Sequence, residues 1–282
     1  MNRVHTACSV MEIVYSSRSA LQRPSRFFGE AGADVLRSTG VAWRLFRSNL
    51  QARHRRAWLG YLWLLLPTVA TTLVWVYVQS RRLVAIAPTV LPYPVFVLAG
   101  TIFWQVFVDA LNAPLQQLAG GRQLITRSRV PHEALILAGV YEVFLNCAIR
   151  MIALAAVLVA FRVPVGATVL GLPIAIAALA SLGLALGLFA APLGMLYDDV
   201  SRGLLLVTGF WFFLTPVIYP TPARGILRLN PVTPLLDTAR NWLTGGPASA
   251  GFAVVAAATI PALAAAWLLQ RLARPHVIER LG

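Results

Sequence analysis

The fold of this chain is decided by residues 57–80, which read AWLGYLWLLLPTVATTLVWVYVQS and contain no charged side chain. The hydrocarbon core of a bilayer is about 30 Å thick, and about 20 helical residues cross it. This run therefore predicts a transmembrane helix, which fits best at residues 59–79. The preceding residues lack the continuous apolar core of a cleaved signal peptide, so we expect this span to serve as an uncleaved signal.

The composition of the whole chain agrees with a membrane protein. Of its 282 residues 58% are hydrophobic and 12% are charged, whereas soluble domains carry about 25% charged residues. The net charge of +14 would suggest nucleic acid in a soluble protein. Here the charges lie between long apolar runs, so they report membrane topology, and we expect no nucleic-acid partner.

The basic residues also exclude some chemistry, because all 24 of them are arginine. A P-loop needs a lysine on the nucleotide phosphates, and Schiff-base catalysis needs a lysine amine. The chain is therefore not an ordinary ATPase by itself.

Apolar runs separated by charges and prolines predict an all-α polytopic protein with six spans. These spans are residues 59–79, 94–114, 134–161, 169–196, 203–219 and 249–270. They form one transmembrane domain over residues 34–270, between tails at 1–33 and 271–282. With both tails in the cytoplasm, 17 arginines lie in cytoplasmic segments and six in outer segments. The positive-inside rule then favours cytoplasmic termini in the inner membrane.

Two segments outside the spans are amphipathic. Residues 34–58 predict an Arg-rich helix that lies in the membrane interface or packs on protein. Its apolar face carries Leu36, Trp43, Phe46 and Leu50. Residues 220–248, between the fifth and sixth spans, are rich in both proline and leucine. Short re-entrant helices shielded by protein are favoured there over a surface loop.

The third predicted span contains a polar stripe, because Glu142, Asn146 and Arg150 are four residues apart. Ionisable groups inside a span usually face a bundle interior or a wet pathway. Glu142 and Arg150 are about 12 Å apart along a helix axis, so they do not pair directly. The stripe predicts either polar contacts between helices or the lining of a path.

Aromatic residues cluster in the second and fifth spans, and they leave two interpretations open. They are Phe103, Trp104 and Phe107, and then Trp211, Phe212 and Phe213. Aromatic faces suit the C–H faces of sugars, but ordinary packing or an interfacial belt gives the same pattern. In the fourth span Gly183 and Gly187 form a G-x-x-x-G pattern that permits close helix approach.

An enzymatic function finds little support. The four histidines lie outside the predicted spans, and neither H-E-x-x-H nor G-x-S-x-G occurs. Asp198 and Asp199 lack further acidic residues at ligand spacing, which favours a polar turn over a metal site. We expect no catalytic residue and no metal ligand in this chain.

Three short motifs occur along the chain in this order: RHRRAWLGYLWLLLP at residues 53–67, YPVFVLAGTIFW at 93–104 and TPVIYP at 215–220. Together they resemble motifs of the permeases of type-2 ABC exporters, which serve O-antigen, capsule and teichoic-acid export. Residues 53–67, RHRRAWLGYLWLLLP, are similar to that family's junction of interface helix and first span. The similar positions there are Arg55, Leu59, Gly60, Trp63 and Pro67. Residues 93–104 resemble the start of its second span. In the segment that follows, the similar positions are Leu124, Ile125, Arg127, Pro131 and Glu133.

Toward the C-terminal end, Asp199 resembles the family's acidic position before the fifth span. Residues 215–220, TPVIYP, are similar to its outer signature, as are Asn230, Pro231 and Arg240. The resemblance covers residues 34–270, with the motifs in the family's order.

This resemblance implies a homodimer associated with two copies of a separate ATPase, which would bind ATP and Mg²⁺. The implied cargo is a glycan on a lipid carrier. Residues 118–132 would be the coupling helix that docks into the ATPase, with Leu124, Ile125, Arg127, Arg129, Pro131 and Glu133 as its contacts. The predicted translocation path comprises Phe103, Trp104, Glu142, Asn146, Arg150 and Trp211. Arg55, Gly60 and Trp63 would belong to the interface helix, and Asp199 to a cytoplasmic gate.

Two alternatives remain open at this point. The first is a permease of the same architecture that exports a drug or a lipid. The second is a membrane-embedded enzyme acting on lipid-linked glycans.

Overall fold

The protein is described here by a computed structural model covering residues 24–56, 60–84, 87–121, 130–221 and 226–281. These residues form helices joined by short turns, with no β-strand among them. The helices are α1 (Pro24–Arg56), α2 (Leu62–Ser80), α3 (Tyr93–Gly120), α4 (His132–Ala160), α5 (Leu172–Leu196), α6 (Asp198–Leu214), α7 (Val232–Leu243) and α8 (Phe252–Leu281). Short 3₁₀ turns at Ala167–Gly171 and Ile226–Leu229 precede α5 and α7.

Five segments of the described residues are long and apolar enough to cross a membrane. They are Leu62–Ser80, Tyr93–Gly120, His132–Ala160, Ala167–Leu196 and Phe252–Ala273. Each covers most of a predicted span, so the all-helical membrane fold is confirmed. The remaining predicted span, 203–219, coincides with α6, which has 17 residues and is about 26 Å long. The count of six spans stays a prediction.

Helix α6 ends five residues before the predicted end of its span. Thr215 is extended, with φ −104° and ψ 136°, because a residue before proline is disfavoured in the α region. Pro216 therefore stops the helix. The chain then runs along α3 as an irregular buried segment, since Val217 and Ile218 are almost fully buried.

Helix α3 is the centre of the fold and packs against α2, α4, α5, α6 and α7. In its most apolar stretch 78% of the residues are buried, compared with 11% in α2. A Cβ atom on Gly183 would lie 2.4 Å from the Phe107 carbonyl oxygen, and one on Gly187 would lie 2.2 Å from the Leu111 carbonyl oxygen. The close helix approach predicted from G-x-x-x-G is therefore confirmed, between α5 and α3.

The segment between α6 and α8 forms a short helix, as its apolar residues predicted. Helix α7 buries Leu235, Leu236 and Ala239 completely and packs on α3 and α5. Protein therefore covers its apolar face. Its depth in the membrane stays a prediction.

Candidate functional site

A buried ion pair joins the middle of α3 to α4. The Arg150 guanidinium donates through Nη1 to Asp109 Oδ2 at 2.5 Å, and Asn146 Nδ2 donates to the same oxygen at 3.1 Å. The two charged side chains are 4% and 20% exposed. The polar stripe of α4 thus meets a carboxylate on the neighbouring helix, because Asn146 and Arg150 share one helix face.

A second polar link joins the same two helices two turns away. Gln117 Nε2 donates to Glu142 Oε2 at 3.0 Å. Asn49 of α1 lies 3.5 Å from the Gln117 side-chain oxygen. The two links are about 12 Å apart, since their residues are eight positions apart on both α3 and α4. Polar contact between helices, one of the two predicted roles of the stripe, is what this geometry supports, and the lining of a path stays a prediction.

Aromatic rings from α3 and α6 pack together in one cluster. Ring centroids of Phe107 and Trp211 are 5.3 Å apart, and those of Trp104 and Phe212 are 5.9 Å apart. Trp104 and Phe103 are almost fully buried inside the chain, whereas Trp211 is half-buried. Among the aromatics proposed for the path, only Trp211 is not almost fully buried by the described residues.

The irregular segment after α6 is held by a buried arginine from α7. Arg240 donates to the Pro216 carbonyl at 3.2 Å and to the Val217 carbonyl at 2.9 Å. Its guanidinium carbon lies 3.7 Å from the centre of the Phe96 ring, which adds a cation–π contact. Burial lowers the pKa of Arg240 to about 10, and the nearby Asp237 opposes this shift. Arg240 is therefore still charged at neutral pH. It links α7 to α3 and to the irregular segment after α6.

Gly100 of α3 makes room for this arginine. A Cβ atom at Gly100 would lie 2.1 Å from Arg240 Nη2 and 2.4 Å from the Val217 carbonyl oxygen. Asn230 adds a further contact, because its side-chain oxygen accepts from Trp211 Nε1 at 3.2 Å. Arg240 and Asn230 thus hold the end of α6 against α3 and α7.

The N-terminal helix α1 packs on α4 through a small aromatic group. Trp43 and Phe46 contact Tyr141 with ring centroids 5.8 and 6.0 Å apart. Phe46 is buried, but Leu36 and Trp43 stay exposed. The predicted apolar face of α1 therefore packs on α4 in one part and is exposed in another.

The predicted junction of α1 and α2 is only partly described. Gly60 has φ +49°, a value that favours glycine, and it separates the two helices. Trp63 is exposed near the start of α2. The side chain of Arg55 lies outside the described residues.

The predicted coupling segment falls mainly outside the described residues, which is true of Leu124, Ile125, Arg127 and Arg129. The structure places the other two contacts at the start of α4. Pro131 precedes the first helical residue, and Glu133 is buried in the first turn.

Nearby, a small cleft separates the start of α4 from α8. It is lined by His132, Glu133, Ile136, Trp267, Gln270 and Arg271. Arg271 also donates to Asp34 of α1 at 2.8 Å. Arg271 thus links α8 to α1 next to the first turn of α4.

Asp199, the predicted gate residue, is exposed in the first turn of α6. It forms an ion pair with Arg202 at 3.6 Å, and both side chains are more than four-fifths exposed. An exposed pair of this kind contributes little to stability. The structure does not bring Asp199 to the polar stripe or to the aromatic cluster.

Sequence reasoning missed the partners of the stripe, Asp109 and Gln117. Asp109 was the available signal, because it is an acidic residue inside an apolar run. A single carboxylate within a span needs a partner, and Arg150 was the obvious cation.

Two curated proteins are similar to this chain over most of its length. One is the O-antigen export system permease protein RfbA of Myxococcus xanthus, 26% identical over 207 residues, which are 71% of this chain and 78% of that protein. The other is the O-antigen export system permease protein RfbA of Klebsiella pneumoniae, 22% identical over 210 residues, which are 70% and 78%. No protein-family model matches the sequence. These similarities confirm the resemblance that the motifs indicated.

Proposed function

We propose that this chain is the membrane-spanning permease subunit of an ABC exporter that moves a lipid-linked polysaccharide across the inner membrane. The observation that carries the proposal is the similarity to two O-antigen export permeases over about 70% of the chain. The fold is compatible with it, since the described residues form apolar helices of membrane-spanning length. A separate ATPase would supply the energy by hydrolysing ATP with Mg²⁺.

The proposed topology has six spans, with α6 as the fifth, and both termini in the cytoplasm. It is supported by the distribution of arginines, which concentrate on the cytoplasmic side of polytopic proteins. In this orientation α7 lies toward the periplasm, and the segment 122–129 lies in the cytoplasm.

The functional unit would contain a second copy of the chain. Helices α2 and α6 carry broad apolar surfaces that the other described residues leave uncovered. Large exposed side chains on them include Leu66, Leu73 and Val74, and then Leu205, Leu206 and Phe210. Lipid would cover part of this surface, and the partner copy would cover the rest.

Within each copy, the polar links would keep α3 and α4 together while other helices tilt. Buried, satisfied polar networks are expected to rigidify a helix pair. The aromatic cluster of α3 and α6 would then form a wall whose half-buried Trp211 meets sugar rings. Phe103 and Trp104 would support this wall from behind, since they are buried.

Coupling to the ATPase would occur through residues 118–132. Leu124 and Ile125 lie between Arg122 and Arg127 in a segment too short to enter the bilayer, so they need a protein partner. An apolar pair that anchors in a groove, with arginines at the rim, is a common mode of helix recognition. Motion of the ATPase would reach α4 through Pro131, which precedes its first residue, and Glu133, which lies in its first turn.

The proposal is tested by comparing Ile125→Asp with Arg129→Ala. Buried anchors dominate binding, whereas rim charges mainly tune association. We therefore expect Ile125→Asp to abolish co-purification of the ATPase and stop the appearance of polysaccharide at the cell surface. Arg129→Ala should have a smaller effect, and both variants should insert normally because no span is altered. Full ATPase binding and full export by Ile125→Asp would remove the main mechanical support for the exporter assignment.

A further inference from the structure

Two helices of this chain end in an arginine held in a left-handed backbone conformation. Arg82 has φ +53° and Arg162 has φ +50°, and they are the only non-glycine residues with positive φ in the described parts of the chain. L-residues other than glycine rarely occupy this region, because Cβ approaches the following carbonyl oxygen. An unfavourable backbone at two matched positions indicates that the arginine side chain has a role there.

Both arginines occupy the same position of the same helix-ending motif. After α2, Leu83 N donates to Val78 O and Arg82 N donates to Gln79 O. After α4, Val163 N donates to Leu158 O and Arg162 N donates to Val159 O. This pair of bonds defines the Schellman motif, whose left-handed residue is usually glycine.

A third helix of the chain uses the expected residue. The turn after α7 has Gly245 at φ +88°, and Gly246 N donates to the Asn241 carbonyl at 2.9 Å. Unlike α2 and α4, α7 is not one of the five segments of membrane-spanning length found among the described residues. The arginines therefore occur where a membrane span ends, and the glycine occurs where a short buried helix ends.

The two arginines lie on the same side of the membrane. Helices α2, α3 and α4 are consecutive spans, so their directions alternate and the C-terminal ends of α2 and α4 share one side. Helix α2 has 19 residues and is about 28 Å long, close to the thickness of the hydrocarbon core. A residue two positions beyond its end therefore lies at the level of the lipid headgroups.

The surroundings of these arginines are those of an interface. Both side chains are exposed. The neighbouring Arg81 lies 5.5 Å above the exposed ring of Tyr77, and aromatic residues of this kind mark the boundary between lipid and water. At the other end of α2, Trp63 is also exposed.

We propose that Arg82 and Arg162 bind the phosphate groups of membrane phospholipids in the leaflet that meets the C-terminal ends of α2 and α4. That leaflet is the periplasmic one in the proposed orientation, but the binding does not depend on the transport function. The guanidinium offers paired donors to phosphate oxygens, and its charge also suits the C-terminal end of a helix. The two arginines fix the depth of α2 and α4 and explain why positive charge occurs on the side where the positive-inside rule disfavours it.

The test uses the whole protein in maltoside micelles without phospholipid, to which lipid is then added. The first variant, Arg82→Gly with Arg162→Gly, removes both charges and relieves the backbone. The second, Arg82→Lys with Arg162→Lys, keeps the charges and the unfavourable backbone. Thermal unfolding is followed with added phosphatidylglycerol, with diacylglycerol of the same acyl chains, and with inorganic phosphate alone.

We expect the glycine variant to be at least as stable as the natural chain without lipid, with a midpoint higher by about 3 °C. Phosphatidylglycerol should raise the midpoint of the natural chain and of the lysine variant. The glycine variant should gain much less, because its affinity falls about fivefold for each arginine removed. Diacylglycerol and inorganic phosphate should reproduce neither gain.

Three results would overturn the proposal. If the glycine variant gains as much from phosphatidylglycerol as the natural chain, these arginines are not the lipid contacts. If it is clearly less stable without lipid, the arginines act inside the protein. An equal effect of inorganic phosphate would indicate an unspecific anion effect and would also contradict lipid binding.

Discussion

Replacing Arg150 by methionine should destabilise the protein by about 3 kcal/mol, because it leaves the Asp109 carboxylate inside the helix bundle without its cation. Breaking one side of a buried pair costs about 3–5 kcal/mol, whereas single hydrogen bonds between membrane helices average about 0.6 kcal/mol. Asp109 is one-fifth exposed and keeps its bond from Asn146. The lower end of the first range is therefore the appropriate value.

The same reasoning predicts that a second substitution restores most of the loss. Asp109→Leu combined with Arg150→Met removes both charges and replaces them with apolar groups of suitable size. Such exchanges of a whole buried pair are often neutral or stabilising. The double variant should lie within about 1 kcal/mol of the natural chain, so the coupling energy between the two positions should be at least about 2 kcal/mol.

Thermal unfolding of the purified protein in detergent measures these effects. A loss of about 3 kcal/mol corresponds to a midpoint lower by about 6–12 °C for a chain of this size. The matched control is Arg162→Ala, which removes an exposed arginine from the turn after the same helix and should change little in phospholipid-free micelles. Export should likewise be impaired more by Arg150→Ala than by Arg162→Ala. Additive losses in the double variant would show that the ion pair contributes no coupling, and the argument would fail.

Three further outcomes follow from the structure. Gly100→Ala should lower the unfolding midpoint by several degrees, because the added methyl group would collide with Arg240. The control is Gly203→Ala, whose methyl group would meet no atom within 4 Å and should be neutral or slightly stabilising. Equal midpoints of the two variants would refute the packing described. Arg240→Ala should lower the free energy of unfolding by about 3 kcal/mol and make the segment after α6 sensitive to protease. An unchanged digestion pattern would contradict the role of Arg240 in holding this segment. Reporter fusions at Asp199 and at the C-terminus should report the cytoplasm and a fusion at Ala87 the periplasm, so a periplasmic signal at Asp199 would overturn the six-span topology.

The positions of the spans were predictable because lipid imposes a simple rule on sequence. Long apolar runs became helices, including the two that contain Asp109 and Arg150, and their predicted bounds differ from the observed ones by a few residues in most cases. The fifth predicted span ends at 219, whereas α6 ends five residues earlier at Leu214, although the run of apolar residues continues beyond Pro216. Val217 and Ile218 are apolar, so hydropathy assigns them to the span. The helix has already ended before them, because Thr215 precedes Pro216 and is disfavoured in the α region.

The contacts within the candidate site were less predictable, because they join residues far apart in sequence. The stripe on α4 was visible through its spacing of four residues. Its partner, Asp109, has no such spacing on its own helix, and only the need of a carboxylate within a span for a partner indicates that it pairs with Arg150. Arg240 was noted only as a position similar to the outer signature. That it fills the space left by Gly100 follows from the packing of α7 on α3, which no periodicity encodes.

The pairing of Asp109 with Arg150 also has a consequence for the synthesis of the protein. Helix α3 precedes α4 in the chain, and the two residues are 41 positions apart. At about 5–20 residues per second, the carboxylate emerges from the ribosome roughly 2–8 s before its cation. Helix α3 therefore enters the membrane with an acidic group that has no cation until α4 arrives beside it. We therefore expect α3 to insert less favourably when α4 is absent than when both helices are synthesised together.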